Sequence, residues 1–355
     1  MPEPELSVII PTLNEGKTIA QLFDGLRQQT DAQFELIFVD GGSADDTCSL
    51  IATLQKRFGL NAKVINSQPG RAKQMNCGAR NAISKELLFL HADTQIDDPQ
   101  MLNKGLVCLN ARRATLDQQP VAGHFGLRFQ HRQTKPSLAY YFFESKTRLN
   151  RLDTINGDQG FMLSKPFFEA LGGFDESLDY MEDARLARKI FAVGQWITLP
   201  GSLTTSARRF EIEGLKQRQI LNALLCNFDH IGLTEFFTEA ASAYRAQSKT
   251  GALELRPFFV LIHSITQRLG FLQSARLWYK TGAYVASNAW QLAFALDCRR
   301  NYTRQLPPGE GPAPALRFYE RWVRFLIDSP PGHLIAAVLT FIWFYTTLLV
   351  LVARK

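Results

Sequence analysis

The chain has 355 residues, 46% hydrophobic, 21% charged and 11% aromatic, with a formal net charge of +7. That mixture excludes a disordered chain, a collagen-like chain and a multi-span membrane protein, and the length asks for two or three folding units. Five scattered cysteines (Cys48, Cys77, Cys108, Cys226, Cys298) with no C-x-x-C argue against a zinc site or disulfide scaffold and fit a reducing compartment, and Met1-Pro-Glu-Pro-Glu has no secretory-signal pattern.

Taken in order, Ser7–Pro11, Phe34–Asp40, Ala62–Asn66 and Glu86–His91 are short apolar runs, the kind buried on both faces of a parallel sheet. Between them Lys17–Gln29, Asp45–Phe58 and Arg71–Ile83 are each long enough for about three helical turns. Ser43-Ala-Asp-Asp46 has the form of a capping box opening the second of these. The alternation predicts a layered α/β sheet with right-handed crossovers.

Ligands of such sheets bind beyond the carboxyl ends of the strands, so the residues after each run carry the information. They are Pro11-Thr-Leu-Asn-Glu15, Asp40-Gly-Gly-Ser43, Pro69-Gly-Arg71-Ala-Lys73-Gln74 and His91-Ala-Asp93-Thr94. Glycines after Asp40 allow close backbone approach, and Asp40 can accept hydrogen bonds from a base or ribose. Arg71 and Lys73 suit a diphosphate, and Asp93 suits a hard divalent cation. Together they describe a site for a nucleoside diphosphate plus metal. Neither a P-loop nor a dinucleotide fingerprint is present.

A second cluster comprises Asn156-Gly157-Asp158-Gln159-Gly160, Gly172-Gly-Phe-Asp-Glu176, and Glu182-Asp183 opening a helical stretch. Acids in a first turn serve either as partners of the helix dipole or as a base for an incoming hydroxyl. Thr205-Ser-Ala-Arg208-Arg209-Phe210 adds two arginines on the pyrophosphate side. His124, His131, His230 and His263 read as structural or solvated side chains, and Phe161 and Met162 as core.

Toward the end, six arginines between Arg299 and Arg324 face Glu310 and Glu320, which places +4 of the +7 there. Leu306–Pro314 is a linker by composition, and Ala315–Asp328 places Leu316, Tyr319, Val323 and Leu326 at helical spacing among arginines and aromatics, as in an interfacial helix. After a break at Ser329-Pro-Pro-Gly332, Leu334–Val352 gives 19 uncharged residues, roughly 28 Å of helix and close to one bilayer crossing. The basic flank predicts a C-terminal single-pass anchor with the body in the cytoplasm, although Arg354 and Lys355 weaken the contrast. A span directly after the basic patch points to a lipid surface and not to nucleic acid.

The set SVIIPTLNE, FVDGGSADDT, PGRAKQMN, FLHADT, NGDQGFML, LGGFDE…MEDARL and TTSARRF resembles the family 2 glycosyltransferases of GT-A fold over roughly residues 5–235. The resemblance is nearest to the bacterial arsenosugar-biosynthesis-type (radical-SAM/selenodomain-associated) branch. It implies a mostly parallel sheet flanked by helices at 1–240; the charge and hydropathy pattern adds a helical membrane-associating region at 241–330 and a transmembrane anchor at 331–355. It implies donor contacts from Pro11, Thr12, Glu15, Asp40, Gly42, Arg71, Lys73, Asn76, Ala92, Arg208 and Arg209. Asp93, with His91 as second candidate, falls at the D-x-D metal position for Mg²⁺ or Mn²⁺. Asp183 beside Glu182 resembles the catalytic base, and Gly157, Asp158 and Gln159 the acceptor side. Two residues depart from the family pattern: His91 replaces the first D-x-D acid, and Phe210 replaces the usual tryptophan.

The implied reaction is an inverting transfer from a nucleotide sugar, UDP being the commonest carrier for this fold, to a hydroxyl acceptor. Arg256–Leu296 resembles the ends of lipopolysaccharide-core glucosyltransferases, which suggests a lipid-linked or envelope-glycan acceptor at the cytoplasmic membrane face. His91 motivates one alternative, a non-catalytic nucleotide-sugar-binding membrane scaffold. A sugar nucleotidyltransferase is the other, but it needs a glycine-rich loop after the first strand, and Thr12-Leu-Asn-Glu15 is a poor candidate.

Overall fold

The computed structural model describes residues 3–116, 119–131, 137–178, 180–247 and 251–353. The chain divides into two compact units at Ser206/Ala207, earlier than the boundary near 240 expected from the motifs.

The first unit contains β1 (Leu6–Thr12), α1 (Ile19–Arg27), β2 (Phe34–Asp40), α2 (Thr47–Phe58), β3 (Ala62–Asn66), α3 (Arg71–Arg80), β4 (Glu86–Phe89), β5 (Gln95–Ile96), α4 (Met101–Thr115) and β6 (Val121–Gln130). It continues through α5 (Leu138–Lys146), a 3-10 turn at Gly157–Gln159, β7 (Phe161–Ser164), α6 (Lys165–Ala170), α7 (Glu182–Val193) and β8 (Gln195–Ser206). The eight strands form one sheet ordered β3-β2-β1-β4-β7-β6-β8-β5. β1 to β4 run parallel, while β7 is antiparallel to both β4 and β6, and β5 to β8. The expected α/β architecture is therefore present. Its four leading strands sit where the apolar runs placed them, and β5 to β8 complete the sheet.

Alternation along the strands feeds two separate cores. Val8, Ile10, Leu36 and Phe38 face α1, α2 and α4, whereas Ile9, Ile37, Val39 and Phe89 face α3, α6 and α7. Among the described residues both faces of β1 and β2 are sealed. Gly78 on α3 shows how tight the second layer is, because a Cβ there would stand 2.3 Å from Ile9 Cγ2.

The expected capping box does not form. Ser43 turns back to Asp40, and the first turn of α2 is held by Asp45, whose Oδ1 accepts from Thr47 N and Thr47 Oγ1. A nearer acceptor took the serine.

The second unit is helical: α8 (Arg208–Glu213), α9 (Leu215–Ile231), α10 (Thr234–Gln247), α11 (Arg256–Ser287), α12 (Trp290–Thr303), α13 (Pro314–Phe318), a π turn at Tyr319–Val323, α14 (Arg324–Ile327) and α15 (Pro330–Ala353). α11 is two helices broken at Gly270, where φ is 71° and ψ 176°. Phe259 and Trp278 both pack on Phe344 of α15, with ring centroids 4.9 and 5.2 Å away. In a straight helix those two residues would be about 28 Å apart, so the chain must double back at Gly270. Gly282 lets the second arm approach α15 closely, since a Cβ there would meet His333 O at 2.4 Å.

α15 has 24 residues and a mean hydropathy of 2.3, long and apolar enough to cross a membrane. It begins earlier than expected. Pro330 and Pro331 occupy its first turn, where a missing N–H costs nothing, and Ser329 Oγ accepts from Gly332 N. Arg354 and Lys355 lie outside the described residues. The expected linker at Leu306–Pro314 is pinned, because buried Asp297 accepts from Ala315 N and Leu316 N at the start of α13. Of the apolar face expected at Ala315–Asp328, Val323 is half-buried and Leu326 is exposed. Leu316 and Tyr319 are buried, and Phe318, Trp322 and Phe325 form the exposed stripe.

Candidate functional site

At the carboxyl edge, the loops after β1 and β2 are stitched together. Asn14, in left-handed conformation, accepts from Ala44 N through Oδ1, while its own N–H donates to Ser43 Oγ at 2.9 Å. Asp40 is buried. Its Oδ2 accepts from Gly42 N and Ser43 N at 2.9 Å each, and its Oδ1 from Ser43 Oγ and Thr12 Oγ1. Burial alone would raise this carboxyl, but the Ser43 and Gly42 hydrogen bonds outweigh it and hold the group below the ordinary range. Asp40 thus shapes the loop that exposes Gly42. Thr12 is buried beside it, Pro11 is half-buried, and Glu15 accepts from Thr18 Oγ1 at 2.7 Å.

Gln74 was not among the expected site residues. Its Nε2 donates to Thr12 O and Val39 O at 2.8 and 2.7 Å, tying α3 to the ends of β1 and β2. This fixes Arg71, one turn earlier, over the same edge.

Arg71 brings the two sequence clusters together. Nη1 lies 3.4 Å from Glu182 Oε1, and although burial works against its charge, Glu182, Asp183, Asp158 and Asp93 surround the guanidinium and keep it protonated. Its side chain remains half exposed and Glu182 is buried. Burial first, and Asp183 second, push the Glu182 carboxyl above its ordinary value; Arg71 only partly offsets them. Four carboxylates against one guanidinium leave an excess of negative charge at this edge.

Asp183 opens α7, and its Oδ2 accepts from Gly157 N at 2.6 Å while Oδ1 accepts from Ala184 N at 2.7 Å. The neighbouring Asp158 Oδ1 lies 2.7 Å from His91 Nδ1. His91 is therefore directed to Asp158, and Ala92 is buried behind it. Among the described residues no three His, Cys, Asp or Glu side chains converge as a complete metal cage.

Three expected ligand residues contact other parts of the protein. Asn76 is buried, and its amide bonds Phe174 N, Phe174 O and Glu176 Oε1, which clamps the Gly172–Glu176 loop on α3. Gln159, expected on the acceptor side, is fully buried and engaged beneath the turn. Lys73 reaches toward Gln68 at 3.4 Å. Arg208 and Arg209 begin the second unit, where they line a cavity of about 190 Å³ with Glu213 and Tyr244.

Residues 7–172 match the family model described as "Glycosyl transferase family 2", which ends just short of Glu182–Asp183. A PGL/p-HBAD biosynthesis glycosyltransferase of Mycobacterium bovis is 34% identical over 103 residues, 29% of this chain and 40% of the relative. The O-antigen chain rhamnosyltransferase RfbN of Salmonella typhimurium is 27% identical over 210 residues, 54% of this chain and 62% of the relative. The chain thus spans less than two thirds of the length of these curated relatives. A mannosyltransferase from Pyrobaculum calidifontis, solved with GDP-Man and Mn²⁺, aligns at TM-score 0.48 and 18% identity, covering 96% of this chain and 87% of that one. The match to the glycosyltransferase family 2 model thus lies wholly within the first unit and covers just under half of the chain.

Proposed function

We propose that this unit transfers a sugar from a nucleoside diphosphate, UDP being the commonest carrier, to a hydroxyl acceptor with inversion, along the lines of the arsenosugar-biosynthesis-type branch. The observation that carries the reading is the convergence of Arg71, Asp93, Asp158, Glu182 and Asp183 at one strand edge of a family 2 domain. Asp183 takes the acceptor proton, the acceptor oxygen bonds to the anomeric carbon, and the bond from that carbon to the diphosphate breaks on the opposite face. Arg71 offsets the charge that builds on the departing diphosphate. Thr12, Glu15 and the exposed Gly42 line the nucleotide side, with Asp40 setting the loop beneath.

The negative excess around Arg71 fits a divalent cation. Asp93 would hold Mg²⁺ or Mn²⁺, His91 being the second candidate, and the diphosphate would complete the coordination as oxygen-seeking cations require. When bound, the ion supplies further charge compensation for the leaving group.

For the second unit we take α15 as a membrane anchor, the exposed Phe318, Trp322 and Phe325 with the neighbouring arginines as an interfacial belt, and the cytoplasm as the side of the catalytic unit. The relatives' roles in PGL/p-HBAD biosynthesis and in the O-antigen chain favour an envelope-glycan or lipid-linked acceptor.

The test is nucleotide release by the full chain from a panel of nucleotide sugars with Mn²⁺ or Mg²⁺, with lipid-linked acceptors added. Asp183→Asn is expected to remove turnover and keep donor binding, and Asp93→Ala to weaken both. Full turnover in Asp183→Asn overturns the assignment. Recovery of the chain in the soluble fraction of lysed cells would refute the anchor.

A further inference from the structure

Beneath the turn that carries Gly157 and Asp158 runs a buried polar chain that no motif explains. His124, on β6, is fully buried. Its Nδ1 lies 2.9 Å from Gln159 Nε2 and 3.2 Å from Phe125 O, and its Nε2 lies 2.8 Å from Asn150 Oδ1. Gln159 Nε2 also donates to Thr147 O at 2.9 Å, and Gln159 Oε1 accepts from Asn156 N at 3.0 Å. These two backbone bonds fix which end of the amide faces His124: it is the NH₂ end. That end has only N–H groups to offer, so its 2.9 Å contact is a hydrogen bond with Nδ1 as acceptor and the ring proton on Nε2, donated to Asn150; it is shorter than the 3.2 Å from Nδ1 to Phe125 O. Burial, which pushes this ring's pKa down, agrees with a neutral imidazole.

The far side of the same turn touches the reacting groups. Gly157 N donates to Asp183 Oδ2, and Asp158 pairs with His91. The space is tight, since a Cβ at Gly157 would stand 3.0 Å from His91 Nε2 and 3.1 Å from Asp183 Oδ2. A shift of the turn by a few tenths of an ångström thus reaches both partners.

We propose that His124 is a positioning residue: as an Nε2–H tautomer it locks Gln159, and Gln159 sets the depth of the turn that delivers one N–H to Asp183 and one carboxylate to His91. The inference rests on the reading of Asp183 as the base.

Three variants separate the two ends of the ring. In His124→Asn the side-chain oxygen stands where Nδ1 was, so the acceptor for Gln159 survives. His124→Gln keeps a donor for Asn150 and loses that acceptor. His124→Phe keeps volume and loses both. The expected order of kcat is wild type, then Asn, then Gln and Phe together about tenfold or more below wild type, with donor KM within about twofold. Faster amide exchange in the peptide around Gly157 gives a readout independent of turnover. If Gln matches Asn in kcat and exchange, or folded Phe matches wild type, the inference fails. Turnover surviving Asp183→Asn would instead refute the base assignment, whatever His124 does.

Discussion

Gly157→Ala probes the site most sharply, because it adds one methyl between His91 and Asp183 without straining the backbone. Gly157 is not among the glycines with positive φ, so alanine can adopt its conformation. The new carbon would lie 3.0 Å from His91 Nε2, 3.1 Å from Asp183 Oδ2 and 3.3 Å from Asp183 Cβ. Relaxed carbon contacts are about 3.5–4.0 Å, so each neighbour must retreat by a few tenths of an ångström. His91 is held by Asp158 and Asp183 by two backbone N–H groups, so the retreat loosens the 2.6 Å bond from Gly157 N to Asp183. A hydrogen bond to a charged group is worth about 1.5–3 kcal/mol, which at 1.4 kcal/mol per decade gives a loss of roughly 10- to 150-fold in kcat. The turn is near the surface, so the melting temperature should fall by no more than a few degrees. Steady-state nucleotide release, with kcat and donor KM resolved, together with thermal unfolding by circular dichroism, decides the matter. A kcat within twofold of wild type at an unchanged melting temperature would show that the Gly157–Asp183 contact has no part in turnover.

Three further outcomes are expected. Because the folded Glu182 carboxyl is raised, its ionised form costs stability, a cost absent below the unfolded value near ~4.3 and growing as pH rises through the folded one. Glu182→Gln should therefore melt higher than wild type near pH 7 and converge with it near pH 4; a lower melting temperature at neutral pH contradicts this. Glu35 has the opposite sign. Buried, it accepts from Ser7 Oγ, Ile83 N and Lys63, and these bonds overcome the upward push of burial and hold it low. Its stabilisation is present above the unfolded value near ~4.3 and is lost as pH falls through the folded one. Glu35→Gln should thus lower the melting temperature at pH 7 and lose its effect in acid, as a pH series of melts would show. Finally, Gly282→Val forces a side chain against His333 O and Ala337 N, at 2.4 and 2.5 Å from its Cβ. Overpacking of this kind costs about 1–3 kcal/mol, and limited proteolysis should find α15 released; an unchanged digest refutes the close contact.

β1, β2 and β4 were legible because they are buried on both faces and so are written as nearly continuous apolar runs, whereas β3, at the sheet edge with Val64 exposed, was legible from its short β-branched core alone. β5 to β8 were less so: β5 is two residues long, and β6 interrupts its apolar pattern with His124 and three neighbouring or intervening glycine and arginine positions. Helix starts misled where a serine had two acceptors to choose from, as Ser43 did. The aromatic residues at 318, 322 and 325 were visible, but which side of their helix faces outward depended on Asp297 capping α13 from another helix.

By itself, then, the sequence determined the layered α/β unit, the acidic and basic residues at its strand ends, and a terminal helix of membrane length, since burial periodicity and local charge are written along the chain. The tertiary structure alone decided which polar residues stand free for a ligand. Arg71 meets Glu182 across 111 positions. Asn76 and Gln159, polar and motif-borne, are consumed by backbone groups that only folding brings near. A buried amide must find its hydrogen-bond partners wherever the fold places them, and spacing along the chain does not encode that distance.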